Sequence, residues 1–167
     1  MTSPSPFDDL LKANEEYARA FPYADREGVA RAGVAVVTCM DARIPPLEML
    51  GLQLGDAKVV RNPGGRVTPV AMEALVLAVH LLGVDKILVV PHTRCAMASS
   101  TQEEMRARVA ESAGVDTSGT TFSVVEDQQA ALVEDVRSVR EHPLIPDSVA
   151  VGGFVYDVAT GRLNRVI

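Results

Sequence analysis

Val34-Ala-Val-Val-Thr-Cys39-Met-Asp41-Ala-Arg43 is the stretch on which the reading of this chain turns. Gly33–Thr38 is an unbroken, valine-rich apolar run, the pattern of a strand covered on both faces, and such strands belong to parallel sheets. The run ends by presenting a thiol, a carboxylate and a guanidinium within five residues, Cys39 to Arg43. A second run, Ile87-Leu-Val-Val-Pro91, leads into His92-Thr-Arg-Cys95, which holds the second of the chain's 2 cysteines. Two buried strands that each deliver metal-ligand residues at their C-terminal ends make a zinc site the leading reading.

Outward from these strands the pattern alternates. Ala57–Arg61 reads as a short strand running into Asn62-Pro-Gly-Gly65, and Thr68-Pro69 reads as an N-cap followed by proline at the first helical position, opening a helix to Leu82. Lys86–Pro91 is the next strand. Thr101–Glu111 and Glu126–Glu141 read as helices, the latter with Leu132, Val133, Val136 and Val139 at helical spacing. Val149–Tyr156 is a fourth strand, and Arg162–Ile167 is expected as an antiparallel edge strand. Strands alternating with helices predict an α/β fold: a mostly parallel sheet of about four strands with an antiparallel edge strand, and helices on both faces. At the N-terminus, residues 1–6 are rich in Pro and Ser and read as a disordered or docking segment. Phe7–Phe21 then has helical spacing that Pro22 stops. That helix precedes the first strand, so residues 1–32 form an N-terminal arm expected to pack outside the sheet, at an oligomer interface.

The 167 residues suit one domain spanning 1–167. A net charge of -6 and a pI near 5.0 argue against nucleic-acid binding. No apolar run approaches the roughly 20 residues of a membrane span. The first residues lack the basic and apolar regions of a secretion signal, which places the protein in the cytoplasm. Cysteines there are more often ligands or nucleophiles than disulfide partners.

If the strands ending at Thr38 and Pro91 are neighbours, Cys39, His92 and Cys95 converge at the carboxyl edge of the sheet, where ligands gather in open parallel sheets. Two thiolates and an imidazole suit Zn²⁺ and leave a fourth tetrahedral position for water or substrate. Zinc lowers the pKa of bound water to about 7, so a hydroxide nucleophile becomes available for hydrating a small electrophile. Asp41 has two readings: it fills the fourth metal position, or it accepts a hydrogen bond from the bound oxygen. A pair with the fork of Arg43 would draw Asp41 away from the metal, so the open or closed state of the zinc depends on that pair. The plainer alternatives are buried apolar cysteines, an ordinary Asp41–Arg43 loop salt bridge, and a tight turn at Gly64-Gly65 whose amides can also line the pocket. A redox pair lacks a Cys-x-x-Cys motif, and neither cysteine has a phosphate-binding arginine at the spacing of a thiol phosphatase.

Cys39-Met-Asp41-Ala-Arg43, Arg61-Asn-Pro-Gly-Gly65 and His92-Thr-Arg-Cys95, in this order, resemble the signature of the β-class carbonic anhydrases and the related carbonyl sulfide and carbon disulfide hydrolases. The resemblance implies one Zn²⁺ per subunit on Cys39, His92 and Cys95, with Asp41 and Arg43 as a catalytic dyad. It also implies a homodimer or homotetramer with the N-terminal helix across a partner. The implied reaction is reversible hydration of carbon dioxide to bicarbonate and a proton. The alternatives are hydrolysis of carbonyl sulfide or carbon disulfide at the same zinc, and a catalytically weak zinc-binding interaction module. Two departures bear on the pocket: Ala96 stands where the family usually has glycine, and Pro63 where it often has alanine.

Overall fold

Val34–Cys39 forms β1, and all six of its residues are buried. It is flanked on both sides by parallel partners, β2 (Ala57–Asn62) and β3 (Lys86–Val90), which is why its sequence carries no polar alternation. β4 (Ala150–Tyr156) continues the sheet parallel to β3, and β5 (Leu163–Arg165) closes it antiparallel to β4. The order is β2-β1-β3-β4-β5. The chain therefore leaves β1 for one side and returns to its other side, so the strand order reverses between β1 and β3. A crevice opens at such a point beyond the carboxyl ends of the strands. The computed structural model describes residues 5–167, so most of the Pro/Ser-rich tip lies outside the described residues.

Two apolar clusters sandwich the sheet. On one face Ala71, Leu75 and Ala78 of α2 (Pro69–Leu81) and Leu132, Val136 and Val139 of α4 (Gln128–Arg140) pack on Ala35, Val37, Ile87 and Val89. On the other, Val36, Cys39, Val90, Cys95 and Tyr156 are covered by Ile44 and by the single-turn helices at Glu48–Leu50 and Ala96–Ala98. The local starts follow their sequences. Thr68 accepts a hydrogen bond from the Ala71 amide ahead of Pro69, and Asp127 caps α4 through the amides of Gln129 and Ala130. Thr101 and Glu104 form a reciprocal capping box at α3 (Gln102–Ala113).

The N-terminal helix is α1 (Asp8–Arg19), and none of its residues is buried. Phe7, Leu10, Leu11, Tyr17 and Phe21 are all exposed in the single chain. The carboxyl-terminal strand is shorter than the apolar pattern predicts, although the chain end stays on the sheet: Val166 donates to the carbonyl of Gly153, whose amide donates to the carbonyl of Ile167. Among the described residues no helix is long and apolar enough to cross a membrane.

Candidate metal centre and active site

β1 and β3 lie side by side with Thr38 opposite Val90, so Cys39 ends one strand as the chain leaves the other through Pro91 and His92. The buried Thr38 hydroxyl donates to the Val90 carbonyl at 2.7 Å and ties the two strand ends together. His92 extends the sheet by an isolated parallel bridge to Tyr156, and the Thr93 amide donates to the Tyr156 carbonyl. These backbone contacts bring Cys39, His92 and Cys95 together: their ligand atoms all lie within 4.8 Å of one another. The three residues are buried, with exposures of 5%, 1% and 3%.

The chemistry of this cluster follows from one hydrogen bond. His92 Nδ1 lies 2.9 Å from the Thr93 carbonyl oxygen. A carbonyl can only accept, so Nδ1 carries the proton and Nε2 presents its lone pair to the cluster. Among the described residues, Nε2 is the buried side-chain polar atom without a hydrogen-bond partner. An orphaned buried nitrogen costs on the order of 1–3 kcal/mol unless something fills its lone pair. A cation that takes nitrogen and sulfur ligands fits this donor set, and Zn²⁺ is the metal whose preferences match two sulfurs and one imidazole. Burial also pushes the His92 pKa below its ordinary value and the Cys95 pKa above its own, so the metal-free site favours a neutral ring and a protonated Cys95 thiol.

Asp41 stands beside this cluster, with Oδ2 3.8 Å from His92 Nε2. Its carboxylate is engaged by Arg43: Nε donates to Oδ1 at 2.9 Å, Nη2 to Oδ2 at 2.7 Å, and the Arg43 amide to Oδ1 at 2.9 Å. The Arg43 side chain holds the Asp41 carboxyl far below the usual carboxylate range. Arg43 Nη2 also reaches the Arg94 carbonyl at 3.2 Å and so links the two ligand loops. Arg94 is the non-glycine residue with positive φ, 56°, among the described residues. That left-handed conformation aims its carbonyl at Arg43.

An open cavity of about 640 Å³ leads to this group. Met40, Ala42, Pro63, Ala96 and Met97 give it a largely apolar wall. The two departures noted in the sequence, Pro63 and Ala96, both face it. Gly64 and Gly65 are buried and are not among its lining residues. Gly65 has φ 67°, and a β-carbon there would lie 2.9 Å from the Cys39 amide nitrogen, so the glycine lets the loop press on the end of β1. His80 Nε2 is bonded to the Leu144 carbonyl and His142 Nδ1 accepts from the Leu144 amide.

Three residues, Arg61, Gln128 and Arg66, support the site by contacts that the sequence reading assigns to none of them. Arg61 Nε donates to the Cys39 carbonyl and Nη2 to the Asp41 carbonyl, at 2.9 and 2.6 Å. Gln128, in the first turn of α4, donates to the His92 carbonyl at 3.1 Å. Arg66 forms a two-pronged ion pair with the buried Asp135 of α4 at 2.6 and 3.0 Å, and its main chain is bonded to the Asn62 side chain. Only Arg61 carried a signal, its place at the end of β2 beside the Asn-Pro-Gly-Gly turn.

A family model described as carbonic anhydrase matches residues 34–163. The chain is 33% identical to beta-carbonic anhydrase 1 of Mycobacterium tuberculosis over 162 residues, 95% of this chain and 96% of that protein. It is also 33% identical to a carbon disulfide hydrolase of an Acidianus species, across 95% of this chain and 87% of that protein. Among solved structures, a carbonic anhydrase from Streptococcus mutans superposes with a TM-score of 0.86 at 36% identity, covering 99% of this chain and 100% of the other.

Proposed function

This chain belongs to the β-carbonic anhydrase family, and on that premise we propose that it reversibly hydrates carbon dioxide to bicarbonate and a proton at a zinc ion held by Cys39, His92 and Cys95. The observation that carries the reading is the orphaned Nε2 of His92 in a cluster with two cysteine sulfurs, all within 4.8 Å. When bound there, zinc supplies a Lewis acid that brings the pKa of water to about 7.

The chain's own residues supply the rest. Cys39, His92 and Cys95 would hold the ion and leave a tetrahedral metal one further ligand to accept. Asp41 is the acceptor beside this cluster. Arg43 keeps it ionised at every working pH and occupies the lone pairs that point away from the cluster, so the carboxylate can hold the hydrogen of the attacking oxygen and turn its free lone pair toward the carbon. The tether from Arg43 to the Arg94 carbonyl restrains Asp41 from swinging onto the metal position. The apolar wall of Met40, Pro63, Ala96 and Met97 receives a small uncharged gas without offering it hydrogen bonds.

A second reading is hydrolysis of carbon disulfide or carbonyl sulfide. The Acidianus relative and the apolar wall, with its two thioethers, support it. Headspace assays of zinc-loaded protein with each gas separate the two. Turnover of carbon dioxide between pH 6.5 and 9, a window around a zinc–water pKa of about 7, is expected; turnover of a sulfur gas alone would move the assignment to the second reading. Asp41→Asn is expected to retain one zinc per chain while losing most of that turnover, roughly 10²-fold or more for a general-base or orienting group. Full activity in this variant would remove Asp41 from the mechanism. A zinc-binding interaction module would instead keep its metal and its partners in Asp41→Asn and hydrate nothing in either form.

The working form is a homodimer or a homotetramer of single-domain subunits. A helix of 12 residues without one buried side chain is marginal in water. The row Phe7, Leu10, Leu11, Tyr17 and Phe21 therefore favours a covering partner, and residues 1–32 act as the arm that reaches it. The cytoplasm is the compartment that suits reduced ligand thiols.

A further inference from the structure

We infer that Arg61 is the residue that positions Cys39 and Asp41 relative to each other, a role its exposed place at a sheet edge conceals. The β1–β2 ladder ends at the register pair Cys39 and Asn62. Beyond that pair the chain still has to hold Met40 and Asp41 in place, and three contacts from the end of β2 do it. Arg61 Nε donates to the Cys39 carbonyl at 2.9 Å, the Met40 amide donates to the Asn62 carbonyl at 3.1 Å, and Arg61 Nη2 donates to the Asp41 carbonyl at 2.6 Å. The guanidinium thus prolongs the ladder by a side chain where the strand itself has stopped.

The geometry has a specific consequence. The two carbonyls belong to the peptide units Cys39–Met40 and Asp41–Ala42, so holding both from one guanidinium restrains the backbone on the far side of each of Cys39 and Asp41 and with it the directions in which their side chains project. One of these is a sulfur of the candidate metal cluster, and the other is the carboxylate that Arg43 grips. Asp41 is held twice, by its carbonyl through Arg61 and by its carboxylate through Arg43. A lysine cannot do the same work, because a single ammonium lacks the planar fork that meets two acceptors at once. Arg61 touches no cluster atom in the structure's hydrogen-bond network, so its role is one of positioning.

The kinetic part of this inference rests on the proposed hydration reaction; the metal part does not. The test uses the full chain loaded with zinc or with cobalt as a spectroscopic probe, comparing the parent with Arg61→Ala, Arg61→Lys and Arg31→Ala. Arg31 pairs with Asp56 near the opposite end of the same strand pair and serves as the control for loosening that edge. Arg61→Ala is expected to release metal to a chelator about tenfold faster, the scale of one or two lost hydrogen bonds, and to change the visible cobalt spectrum. In the same variant kcat is expected to fall about tenfold with KM within about twofold, since a misdirected acceptor costs the chemical step more than gas binding. Arg61→Lys should fall between, and Arg31→Ala should match the parent throughout. Unchanged metal release and cobalt spectrum in Arg61→Ala would overturn the inference, as would equal losses in Arg31→Ala. If Arg61→Ala does not fold, Arg61→Lys decides by the same readouts. A zinc-loaded parent that hydrates no carbon dioxide would sink the proposed function, while the release rate and spectrum still decide the role of Arg61.

Discussion

Gly65 and Gly51 offer a matched experiment on how tightly the end of β1 is packed. Both have φ 67°, so an alanine at either meets the same backbone penalty, on the order of 1–2 kcal/mol for a left-handed L-residue. That penalty is partly offset by about 0.4–1 kcal/mol from a stiffer unfolded chain. They differ in what a β-carbon would touch. At Gly51 nothing lies within 4 Å, whereas at Gly65 the Cys39 nitrogen would be 2.9 Å away, the Thr38 carbonyl carbon 3.0 Å and the Thr38 Cα 3.2 Å. These atoms are main chain of β1, an inner strand bonded to β2 on one side and β3 on the other, so they have little room to retreat. Overpacking of this kind costs about 1–3 kcal/mol. Gly51→Ala should therefore lose about 1 kcal/mol, and Gly65→Ala roughly 2 kcal/mol more. At this chain length the extra loss corresponds to a melting temperature lower by about 4–8 °C. Urea unfolding of the reduced, chelator-treated proteins, with equal slopes as the check on two-state behaviour, measures the gap. Because the pressure falls on Cys39 itself, Gly65→Ala should also bind zinc more weakly than Gly51→Ala. Coincident unfolding midpoints for the two variants would refute the close approach as the reason glycine stands at 65.

Cys95→Ser should lose stoichiometric zinc by elemental analysis and melt well below the zinc-loaded parent, because the metal's binding energy is part of the folding energy. Acid should act in two windows. Burial sets the folded pKa of His92 below its ordinary 6.5, so the stability it contributes is complete above that value and is lost as pH falls through the lower folded value. Metal retention, measured by dialysis against buffers of falling pH, should decline in the same direction. The Asp41 contribution, held by the Arg43 fork, should disappear only below its ordinary 3.8. A urea midpoint that stays flat from pH 7.5 down to 5 in the metal-free protein would contradict the His92 assignment. At Arg94, with φ 56°, Arg94→Val should cost about 1 kcal/mol or more in urea unfolding while Arg94→Gly should be neutral or slightly stabilising; equal effects would show that the left-handed backbone carries no strain.

The parts of this protein that were legible in its sequence are those whose cause is local. β1 and β3 declare themselves because a strand flanked and covered on both sides carries mostly apolar residues, and Val34–Cys39 and Lys86–Val90 obey that rule apart from the exposed first lysine and the buried Thr38, whose hydroxyl is satisfied by the Val90 carbonyl. The candidate ligands were legible for the same reason, since thiol and imidazole types stand at the ends of those two strands. Asp41 and Arg43 are two residues apart after a strand, which is close enough for a fork. The supports of the site follow another logic. Arg61 acts on carbonyls, which every residue has, so nothing in the identities of Cys39 or Asp41 announces the contact. Asp135 occupies a buried position of α4 among Leu132, Val136 and Val139, and its partner Arg66 is 69 residues away, so only the fold reveals why a carboxylate is tolerated there. α1 shows the limit from the other side: its apolar spacing predicts a helix correctly, but none of its residues is buried, so the spacing that names the helix does not name what its apolar row packs against. Which atoms bind is written in side-chain types, while where they point is set by carbonyls, close backbone approaches and neighbours far along the chain. A variant that leaves every motif residue of this site in place can therefore still misdirect it, and Arg61 and Gly65 are the positions where the structure makes that separable by experiment.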